Sequence, residues 1–364
     1  MDLFVYGTLR HKPLLDCVLG RSVEQTSITP AFLADATTSW VQDQQFPMIQ
    51  LGTGGQAQGW VLSNLSREDI ARLDFYEGGF GYSLVDVASS AGTAKMYLPG
   101  PEVGPPGESF DLDDWVQRWG ALTLEAAGEV MRSFGTRTAA EVAKMFPAIR
   151  TRAGARVRAA EGTADGFAGR VEIDKRNLPY AQFFALEDVT VRVERFEGDM
   201  TPPLQRAVFL GMDAALVLPY DPVRDRVLLV EQFRLGPVGR GDPTPWQLEP
   251  IAGHVDPGET PEQAARREAQ EEAGLTLHRL ETVGQGYPSP GASSEFYYMY
   301  VGVCDLPDDI GGVNGVISEG ENIRSHLMEW NDFIDRIDTS RFSVAPLVLM
   351  GLWLARHRDR LQST

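Results

Sequence analysis

The feature that most constrains this chain is residues 253–275, GHVDPGETPEQAARREAQEEAGL. Its first half contains Gly253, Pro257 and Gly258, which is typical of a loop. Its second half is rich in alanine, glutamate, glutamine and arginine, which favour a helix. Gly274 stands where a helix C-cap is expected. The segment therefore predicts a loop followed directly by a helix that ends at this glycine.

Three carboxylates of the predicted helix lie on one face, because Glu268, Glu271 and Glu272 are spaced i, i+3 and i+4. Like charges at this spacing repel each other, so the arrangement is costly unless cations lie among the oxygens. Mg²⁺ suits such a site because it accepts a few carboxylates and keeps positions for water and substrate phosphates. Arg267 can pair with these carboxylates and orient them. The alternative is a solvated acidic helix face.

The whole segment resembles the Nudix box, G-x5-E-x7-R-E-U-x-E-E-x-G-U with U aliphatic, and departs from it only in the small Ala269. The resemblance implies a Nudix hydrolase, an enzyme that cleaves nucleoside diphosphates linked to another moiety. By position it implies that Glu268 and Glu272 bind metal. It further implies that Glu271 is a ligand or a supporting base and that the Ala252 carbonyl oxygen is a ligand. The metal expected is Mg²⁺, with Mn²⁺ as the alternative.

The net charge, the cysteine count and the lengths of the apolar runs limit the ligands and the cellular location expected for this chain. The net charge is −18 over 364 residues, which argues against binding to nucleic acid or to an anionic membrane. A nucleotide substrate stays compatible, because bound metal ions neutralise charge locally. Cys17 and Cys304 are too few and too far apart for a disulfide framework or a cysteine-based zinc site. Residues 1–10 lack the pattern of a signal peptide, and the apolar run 344–355 is too short for a membrane span, so a cytoplasmic protein is expected.

The N-terminal segment opens with residues 3–6, LFVY, which predict a short strand, and GTL follows at once. A strand that ends in a glycine turn can present backbone N–H groups to a carboxylate. Residues 66–73 predict a short helix with Ser66 as its N-cap. Further strands are predicted at residues 59–62, 84–87 and 94–98.

The motif YGTL, together with LDFYEG at residues 73–78 and Tyr82, resembles the gamma-glutamylcyclotransferase-like (AIG2-like) family. The resemblance implies a small mixed β-barrel with flanking helices, and a glycine loop that holds the carboxyl end of a substrate. The loop residues are Tyr6, Gly7, Thr8 and Leu9. It also implies that Glu77 moves a proton as a γ-glutamyl amine cyclises, a role that suits a carboxyl whose pKa is raised in an apolar pocket. The alternative is a retained scaffold for folding or dimerisation, with Glu77 in a surface turn.

A connector follows. Residues 100–107, GPEVGPPG, form a Pro/Gly hinge and the clearest domain boundary. Residues 111–134 predict a helix, and residues 138–145 begin another that is stopped or kinked near Pro147. Residues 150–158 carry four arginines, for which a solvated face is expected rather than contact with the acidic body of the protein. No chemistry is expected in the connector.

The C-terminal part has strand patterns at residues 189–193, 213–218, 227–232 and 296–303. Interleaved with the box helix and a C-terminal helix, these strands indicate an α/β/α sandwich with a mixed sheet. The fold class expected for the chain is α/β (α+β). The expected domains are 1–99, gamma-glutamylcyclotransferase-like; 100–160, linker and helical connector; and 161–364, Nudix hydrolase.

Several features resemble the ADP-ribose pyrophosphatase subgroup of the Nudix family. Pro290, fifteen residues beyond the box, stands where that subgroup has a substrate-binding proline. Residues 230–234 and 246–249 also resemble that subgroup. Residues 317–324, ISEGENIR, resemble its catalytic loop. By that resemblance Glu319 is the base that activates water and Glu321 completes a metal site, with an exposed acidic loop as the alternative.

The same subgroup holds the adenine between aromatic and arginine side chains, partly from a second subunit, which implies a homodimer through the Nudix domain. The matching positions here are Phe183, Phe184, Arg206 and Arg234. Such residue types stack on a base or bind it through cation–π contact. Core packing is the alternative for the aromatics, and a structural ion pair is the alternative for Arg234. Residues 210–213, LGMD, depart from the subgroup, which often carries a basic residue there, and this weakens the assignment of the exact substrate.

The fusion of these two domains also resembles tellurite-resistance proteins of the TrgB type. The main hypothesis is Mg²⁺-dependent hydrolysis of the diphosphate of ADP-ribose, or of a related ADP-sugar, to AMP and ribose 5-phosphate. Two alternatives stay open. One is gamma-glutamyl cyclotransfer by the N-terminal domain, and the other is a non-catalytic nucleotide sensor with a dimerising N-terminal module.

Overall fold

The computed structural model describes residues 1–23, 28–162, 166–310, 312–314 and 322–363 of the chain. The chain divides into two compact units, Met1–Ala207 and Val208–Thr364. Among the described residues, no helix combines the length and the apolar character that a membrane span requires.

The first unit contains a six-stranded mixed sheet in the order β4-β5-β1-β3-β2-β6, an open half-barrel. Its strands are β1 (Leu3–Val5), β2 (Ile28–Val41), β3 (Pro47–Leu62), β4 (Tyr82–Ser89), β5 (Gly92–Pro99) and β6 (Pro106–Ser109). Strand β1 runs parallel to β5 and antiparallel to β3. The strands predicted in this region are confirmed. Strand β2 and the first half of β3 were not predicted, because their polar and glycine-rich stretches become strands only by pairing with each other.

The helices of the first unit lie between and after these strands. They are α1 (Lys12–Leu19), α2 (Arg67–Glu77), α3 (Leu112–Trp115), α4 (Ala121–Met131) and α5 (Ala139–Ala160), with a π-helical turn at Val116–Gly120 and short 3-10 turns at Thr8–Arg10 and Pro101–Val103. The predicted cap of α2 is confirmed. Ser66 Oγ accepts from the Asp69 N–H at 3.0 Å, and the Ser66 N–H donates to the Asp69 carboxylate at 2.8 Å.

Helix α5 runs through Pro147, so of the two predicted outcomes, a stop or a kink, the stop does not occur. A proline inside a helix costs about 3 kcal/mol, because its ring clashes with the preceding turn and one hydrogen bond is lost. The buried face of the same helix includes Val142, Met145 and Ile149. Each fully buried apolar side chain contributes about 1.5–3 kcal/mol, so packing outweighs the local cost.

The arginines of residues 150–158 do not all lie on a solvated face, so that expectation is also wrong. Arg152 is only 1% exposed. Its Nε and Nη2 donate to Glu129 Oε1 at 3.0 and 2.6 Å, and its Nη1 donates to the Phe183 carbonyl at 2.7 Å. Arg156 donates to the other oxygen of Glu129 at 2.9 Å. A buried guanidinium of this kind is tolerated because a carboxylate from α4 pairs with it.

A three-stranded sheet, in which β7 and β8 pair antiparallel, completes the first unit. Its strands are β7 (Val171–Ala181), β8 (Ala185–Val193) and β9 (Leu204–Leu210), the last of which continues into the second unit. The strand predicted at residues 189–193 lies within β8. Several large apolar side chains on β7 and β8 are exposed, namely Val171, Ile173, Tyr180 and Leu186.

The second unit is built on a mixed sheet in the order β14-β15-β10-β11-β17-β16, with β12 paired to β11 and β13 paired to β10. Its strands are β10 (Asp213–Asp221), β11 (Arg226–Phe233), β12 (Trp246–Glu249), β13 (Ile251–His254), β14 (Arg279–Gly286), β15 (Phe296–Val303), β16 (Gly312–Asn314) and β17 (Ile323–Glu329). Its helices are α6 (Leu235–Arg240), α7 (Pro261–Ala273), α8 (Trp330–Asp338) and α9 (Ala345–Gln362).

Two apolar clusters cover the two faces of this sheet. The alanines of α7, with Ala269 among them, pack in one cluster. Phe333 of α8 and Leu347 of α9 pack in the other. This arrangement confirms the predicted α/β/α sandwich with a mixed sheet.

Helix α7 has the predicted end. Gly274 adopts a left-handed conformation with φ 65° and caps the helix, a conformation that a glycine adopts at no steric cost. At the other end Thr260 and Gln263 form a capping box, with Pro261 as the first helical residue. Both ends are therefore set by local signals, which fixes the position of the glutamates along the helix.

Candidate functional site

Arg267 gathers the carboxylates of the box. Its Nη1 donates to Glu268 at 2.6 Å and to Glu271 at 3.0 Å, while its Nε and Nη2 donate to Glu259, each at 3.1 Å. Its Nη2 also donates to the His254 carbonyl at 3.0 Å. Burial lowers the pKa of Arg267, but the hydrogen bond to Glu259 and the charge of Glu268 outweigh it, so the pKa is raised above its usual value. Arg267 is therefore a fixed cation that orients these carboxylates.

The Glu268 carboxylate lies directly against Gly253 in β13. A Cβ atom at position 253 would lie 2.5 Å from Glu268 Oε2 and closer still to the rest of the carboxylate. The glycine is required here for space rather than for its backbone conformation, because its φ is not in the left-handed region. The close approach brings Glu268 next to the strand that carries Ala252.

Of the other catalytic and metal-binding glutamates predicted for the Nudix domain, two are described by the structure and two are not. Glu272 is 3% exposed, whereas the side chain of Glu271 is 43% exposed. Glu319 and Glu321 lie outside the described residues. Within the part of the chain that the structure describes, no three acidic, histidine or cysteine side chains are gathered as a metal cluster.

The residues present nevertheless fit a hard divalent cation. The carboxylates of Glu268 and Glu272 are largely shielded from solvent. With the backbone carbonyl of Ala252 they supply only oxygen donors, which is the chemistry that Mg²⁺ and Mn²⁺ prefer.

Arg234 forms an ion pair with Glu249, which agrees with the structural ion pair predicted as the alternative to nucleotide binding. Its Nη2 lies 2.7 Å from Glu249 Oε2, and its Nε donates to the same carboxylate at 2.9 Å. Burial lowers the pKa of Arg234, but Glu249 and the charge of Glu272 outweigh it, so the pKa is raised. The charge of Glu272 links Arg234 electrostatically to the box helix. The ion pair with Glu249 leaves the Arg234 side chain 42% exposed.

Glu295 belongs to the same region and was not predicted from the sequence. Burial raises its pKa, while a hydrogen bond from Ser293 and the charge of Arg234 oppose the shift. A Cβ at Gly211 would collide with Glu295 Cγ, so glycine at that position makes room for this carboxyl. Burial, with the charge of Glu295 next in importance, raises the pKa of the neighbouring Tyr297 to about 12. Residues 210–213, singled out for lacking a basic residue, thus contain a glycine with a packing role.

The predicted substrate-binding residues are distributed over the two units. Phe183 and Phe184 lie between β7 and β8, with their rings edge to face at 4.8 Å, and Phe183 is 56% exposed. Arg206 is an exposed residue of β9 whose Nη1 donates to the Gln205 carbonyl at 2.7 Å. Pro290 is exposed in the loop between β14 and β15.

A cavity of about 260 Å³ lies in the first unit and is lined by the predicted glycine loop, Tyr6, Gly7, Thr8 and Leu9. Gly7 approaches Pro47 so closely that a Cβ would lie 2.8 Å from its Cγ. Glu77, the last residue of α2, also lines the cavity, so it does not lie in a surface turn. Burial raises the pKa of Glu77 to about 7. Burial likewise raises the pKa of Tyr6 and of Tyr82, so both phenols stay protonated.

The connector, in which no chemistry is expected, supplies part of the wall of this cavity. Trp115 and Arg150 line the cavity, as does Phe146, whose ring packs on Phe80 at 4.8 Å. Trp115 Nε1 donates to the Gln45 carbonyl at 3.1 Å, and Arg150 Nη2 donates to Gln45 Oε1. These contacts join residues far apart in the sequence, and no local pattern in the connector signals them.

Comparison with known proteins gives two family matches and a set of relatives. The NUDIX domain model matches residues 211–346, and the gamma-glutamyl cyclotransferase, AIG2-like model matches residues 3–117. ADP-ribose pyrophosphatase of Escherichia coli strain K12 is 37% identical over 193 residues, covering 53% of this chain and 91% of that protein. ADP-ribose pyrophosphatase of Haemophilus influenzae is 34% identical over 196 residues, covering 53% and 90%. GDP-mannose pyrophosphatase of Cronobacter sakazakii is 28% identical over 180 residues, covering 50% and 92%.

Proposed function

The chain belongs to the Nudix hydrolase family, and from this premise we propose that it hydrolyses the diphosphate of ADP-ribose, or of a related ADP-sugar, to AMP and ribose 5-phosphate. The observation that carries the proposal is the group of box carboxylates bonded to Arg267, of which Glu268 lies against Gly253. The choice of substrate is supported by the two ADP-ribose pyrophosphatases at 37% and 34% identity.

Each residue has a defined part in the proposed reaction. Glu268 and Glu272, with the Ala252 carbonyl oxygen and Glu321, would hold Mg²⁺ or Mn²⁺, and the ion would neutralise charge on the diphosphate. Glu319 accepts a proton from the attacking water. The roles of Glu319 and Glu321 are assigned from the sequence alone.

Further residues are assigned to orienting the carboxylates and to binding the nucleoside. Arg267 keeps the first carboxylates of the box in orientation, and Glu271 is a further ligand or a supporting base. Adenine binding is assigned to Phe183, Phe184, Arg206 and Arg234 from the resemblance to the ADP-ribose pyrophosphatase subgroup, and Pro290 is assigned as a further substrate-binding residue. Stacking and cation–π contact are the interactions that such side chains make with a base.

A single substitution tests the metal assignment. Glu272→Gln should lower turnover by orders of magnitude while leaving the fold intact, because it removes one negative oxygen from the cation site. Glu262→Gln is the matched control, since Glu262 is an exposed residue at the start of the same helix. AMP release is followed by chromatography with Mg²⁺ or Mn²⁺ over ADP-ribose, other ADP-sugars, GDP-mannose and dinucleotides. An unchanged rate in Glu272→Gln would remove the metal assignment, and tight binding of ADP-ribose without AMP release would favour a nucleotide sensor.

We also propose that the protein is a cytoplasmic homodimer, assembled through the Nudix domain. The sheet of β7 and β8 lies within the predicted Nudix segment 161–364, although it belongs to the first compact unit. Its exposed apolar side chains support an interface there, because exposed apolar surface is typical of interaction sites. Light scattering should give a dimer for the full chain and a monomer for Ile173→Glu. A dimer of unchanged affinity in that variant would exclude this sheet as the interface. The TrgB-type resemblance adds the proposal that loss of the protein increases sensitivity to tellurite, which growth of a deletion strain would test.

The cavity of the first unit favours a second function, gamma-glutamyl cyclotransfer. In this reaction the α-amino nitrogen of the γ-glutamyl group attacks its own γ-carbonyl carbon, and the bond to the departing amine breaks. Glu77 takes the proton from the attacking nitrogen and returns it to the departing amine, so that 5-oxoproline and a free amine are formed. A pKa near 7 suits a group that must accept and donate a proton. Release of 5-oxoproline from γ-glutamyl peptides, and its loss in Glu77→Gln, tests the assignment.

A further inference from the structure

One charged side chain of the first cavity lies outside the matched cyclotransferase-like segment. Arg150 is on α5, whereas the family match ends at residue 117. Its Nη2 donates to Gln45 Oε1, and within the described part of the chain no carboxylate pairs with it. Among the residues that line the cavity, Arg150 supplies the guanidinium and Glu77 supplies the carboxyl group.

The position of Arg150 is fixed by the wall around it. Gln45 accepts from Arg150 through its side chain and from Trp115 through its backbone carbonyl. Trp115 is itself almost fully buried, so Gln45 is fixed from two sides. The guanidinium is therefore held at the cavity wall, and among the described residues only its Nη2 has a hydrogen-bond acceptor, so that Nε and Nη1 can bind another one.

The electrostatics of the cavity favour an anionic ligand. Burial lowers the pKa of Arg150, with the charge of Tyr76 opposing, but an arginine stays protonated throughout the physiological range. A charged group that is partly removed from water and bonded to a neutral amide is poorly compensated. A ligand carboxylate would compensate it through charge-assisted hydrogen bonds, which the planar guanidinium can make in pairs.

We propose that Arg150 binds a carboxylate on the amine portion of a γ-glutamyl substrate, so that the first unit selects γ-glutamyl amino acids and peptides over γ-glutamyl compounds of uncharged amines. The glycine loop then holds the carboxyl end of the glutamyl group, and Arg150 holds the second carboxylate. The inference rests on the proposed cyclotransfer activity for the identity of the γ-glutamyl end. The cavity of about 260 Å³ is near the lower end of small-molecule sites, which fits a substrate of dipeptide size.

Two substrates that differ by a single carboxylate make the test specific. γ-Glutamylalanine and γ-glutamylethylamide share the glutamyl group and a two-carbon amine, and only the first has a carboxylate on the amine portion. In the full chain, Arg150→Gln should lower kcat/KM for γ-glutamylalanine by about ten- to a hundredfold, the loss expected when a charge-assisted hydrogen bond is removed. It should change kcat/KM for γ-glutamylethylamide by less than about threefold, which is within the effect of one ordinary hydrogen bond. Arg150→Lys should restore part of the preference.

The control is Lys144→Gln, which removes one positive charge from an exposed position on the same helix and should leave both substrates unaffected. Equal losses for the two substrates in Arg150→Gln, or no loss for either, would overturn the assignment of Arg150. Thermal unfolding of Arg150→Gln and Arg150→Lys shows whether a loss comes from an altered fold. If Arg150→Gln is unfolded, a partly retained preference for γ-glutamylalanine in Arg150→Lys supports the assignment, and an unchanged preference overturns it.

Failure of the cyclotransfer activity itself is distinguished by binding. If the wild-type chain releases no 5-oxoproline from either compound, calorimetry of the full chain compares their affinities directly. Tighter binding of γ-glutamylalanine that is lost in Arg150→Gln would support the carboxylate site without the activity. Equal binding, or no binding of either compound, would overturn it.

Discussion

Replacing Gly253 by alanine should slow AMP release sharply without unfolding the protein. The added Cβ would lie 2.5 Å from Glu268 Oε2, whereas ordinary van der Waals contact begins at 3.4 Å. The carboxylate therefore has to withdraw by about 1 Å or more, and a misplacement of this size costs about a hundredfold in rate. The expected result is a fall of about a hundredfold in kcat/KM for ADP-ribose.

The fold should tolerate the same substitution. The atoms in the way belong to the end of a flexible side chain, and Gly253 has no left-handed backbone conformation that alanine would strain. An alanine that fits the native backbone stabilises a protein by about 0.4–1 kcal/mol through the unfolded chain. The free energy of unfolding in urea should therefore change by no more than about 1 kcal/mol.

Gly284→Ala is the control, because a Cβ at that strand position has nothing within 4 Å. It should leave both AMP release and stability unchanged. Wild-type kcat/KM in Gly253→Ala would refute the reasoning, since Glu268 would then not act from the position that it occupies. A loss of several kcal/mol of stability would also refute it, because the clash would then fall on the backbone.

Three further predictions concern other parts of the molecule. Arg152→Met should lower the free energy of unfolding by about 3 kcal/mol, because it leaves the Glu129 carboxylate buried without its main partner; urea unfolding measures it. In the wild-type chain, 5-oxoproline release should rise as the pH passes through about 7, where Glu77 ionises, and Glu77→Gln should abolish this pH-dependent release. Removing divalent cations with a chelator should abolish AMP release, and adding Mg²⁺ or Mn²⁺ in excess should restore it.

The pH prediction for Glu77 has a counterpart in stability. Its folded pKa of about 7 lies above the ordinary value of 4.5, so the folded state binds the proton more tightly than the unfolded state. The stability from this group is fully present below the unfolded pKa and is lost as the pH rises through the folded pKa. Glu77→Gln should therefore be more stable than wild type above pH 7, relative to their difference at pH 4. A constant difference between these two pH values would contradict the raised pKa.

The Arg152 prediction has an internal control in Arg195→Met. Arg195 pairs with Asp199 on the surface of the same unit, and both side chains are substantially exposed. An exposed pair of this kind contributes about 0–1 kcal/mol, so its loss should be nearly neutral. An equal loss in the free energy of unfolding for the two substitutions would show that burial does not make the Glu129 pair more important for stability than an exposed pair.

Local signals explain the parts of the fold that the sequence predicts well. The cap glycine at position 274 and the apolar runs of β10, β11 and β15 depend on neighbouring residues. Strand β2 is different, because its polar stretches extend only when they pair with β3. Pro147 is comparable, since contacts from distant residues decide whether a helix stops at a proline or continues through it.

The candidate site likewise has features that depend on neighbouring residues and features that depend on distant ones. The spacing of Glu268 and Glu272 predicts a shared helix face, and the structure adds that the first of them needs the space beside Gly253. Glu249 reaches Arg234 because β12 pairs with β11, and Glu295 is affected by the charge of Arg234, so no spacing in the chain indicates either carboxyl group. Contacts between residues far apart in the chain leave no regular pattern in the sequence, so they become visible only in the structure.

The wall that α5 gives to the first cavity determines how the protein can be divided. A fragment cut at residue 99, where the Pro/Gly hinge begins, would lack Trp115, Phe146 and Arg150 and would open the cavity to water. Expression of the N-terminal part by itself, or its transfer to another protein by gene fusion, therefore has to carry the chain through to residue 160, where α5 ends.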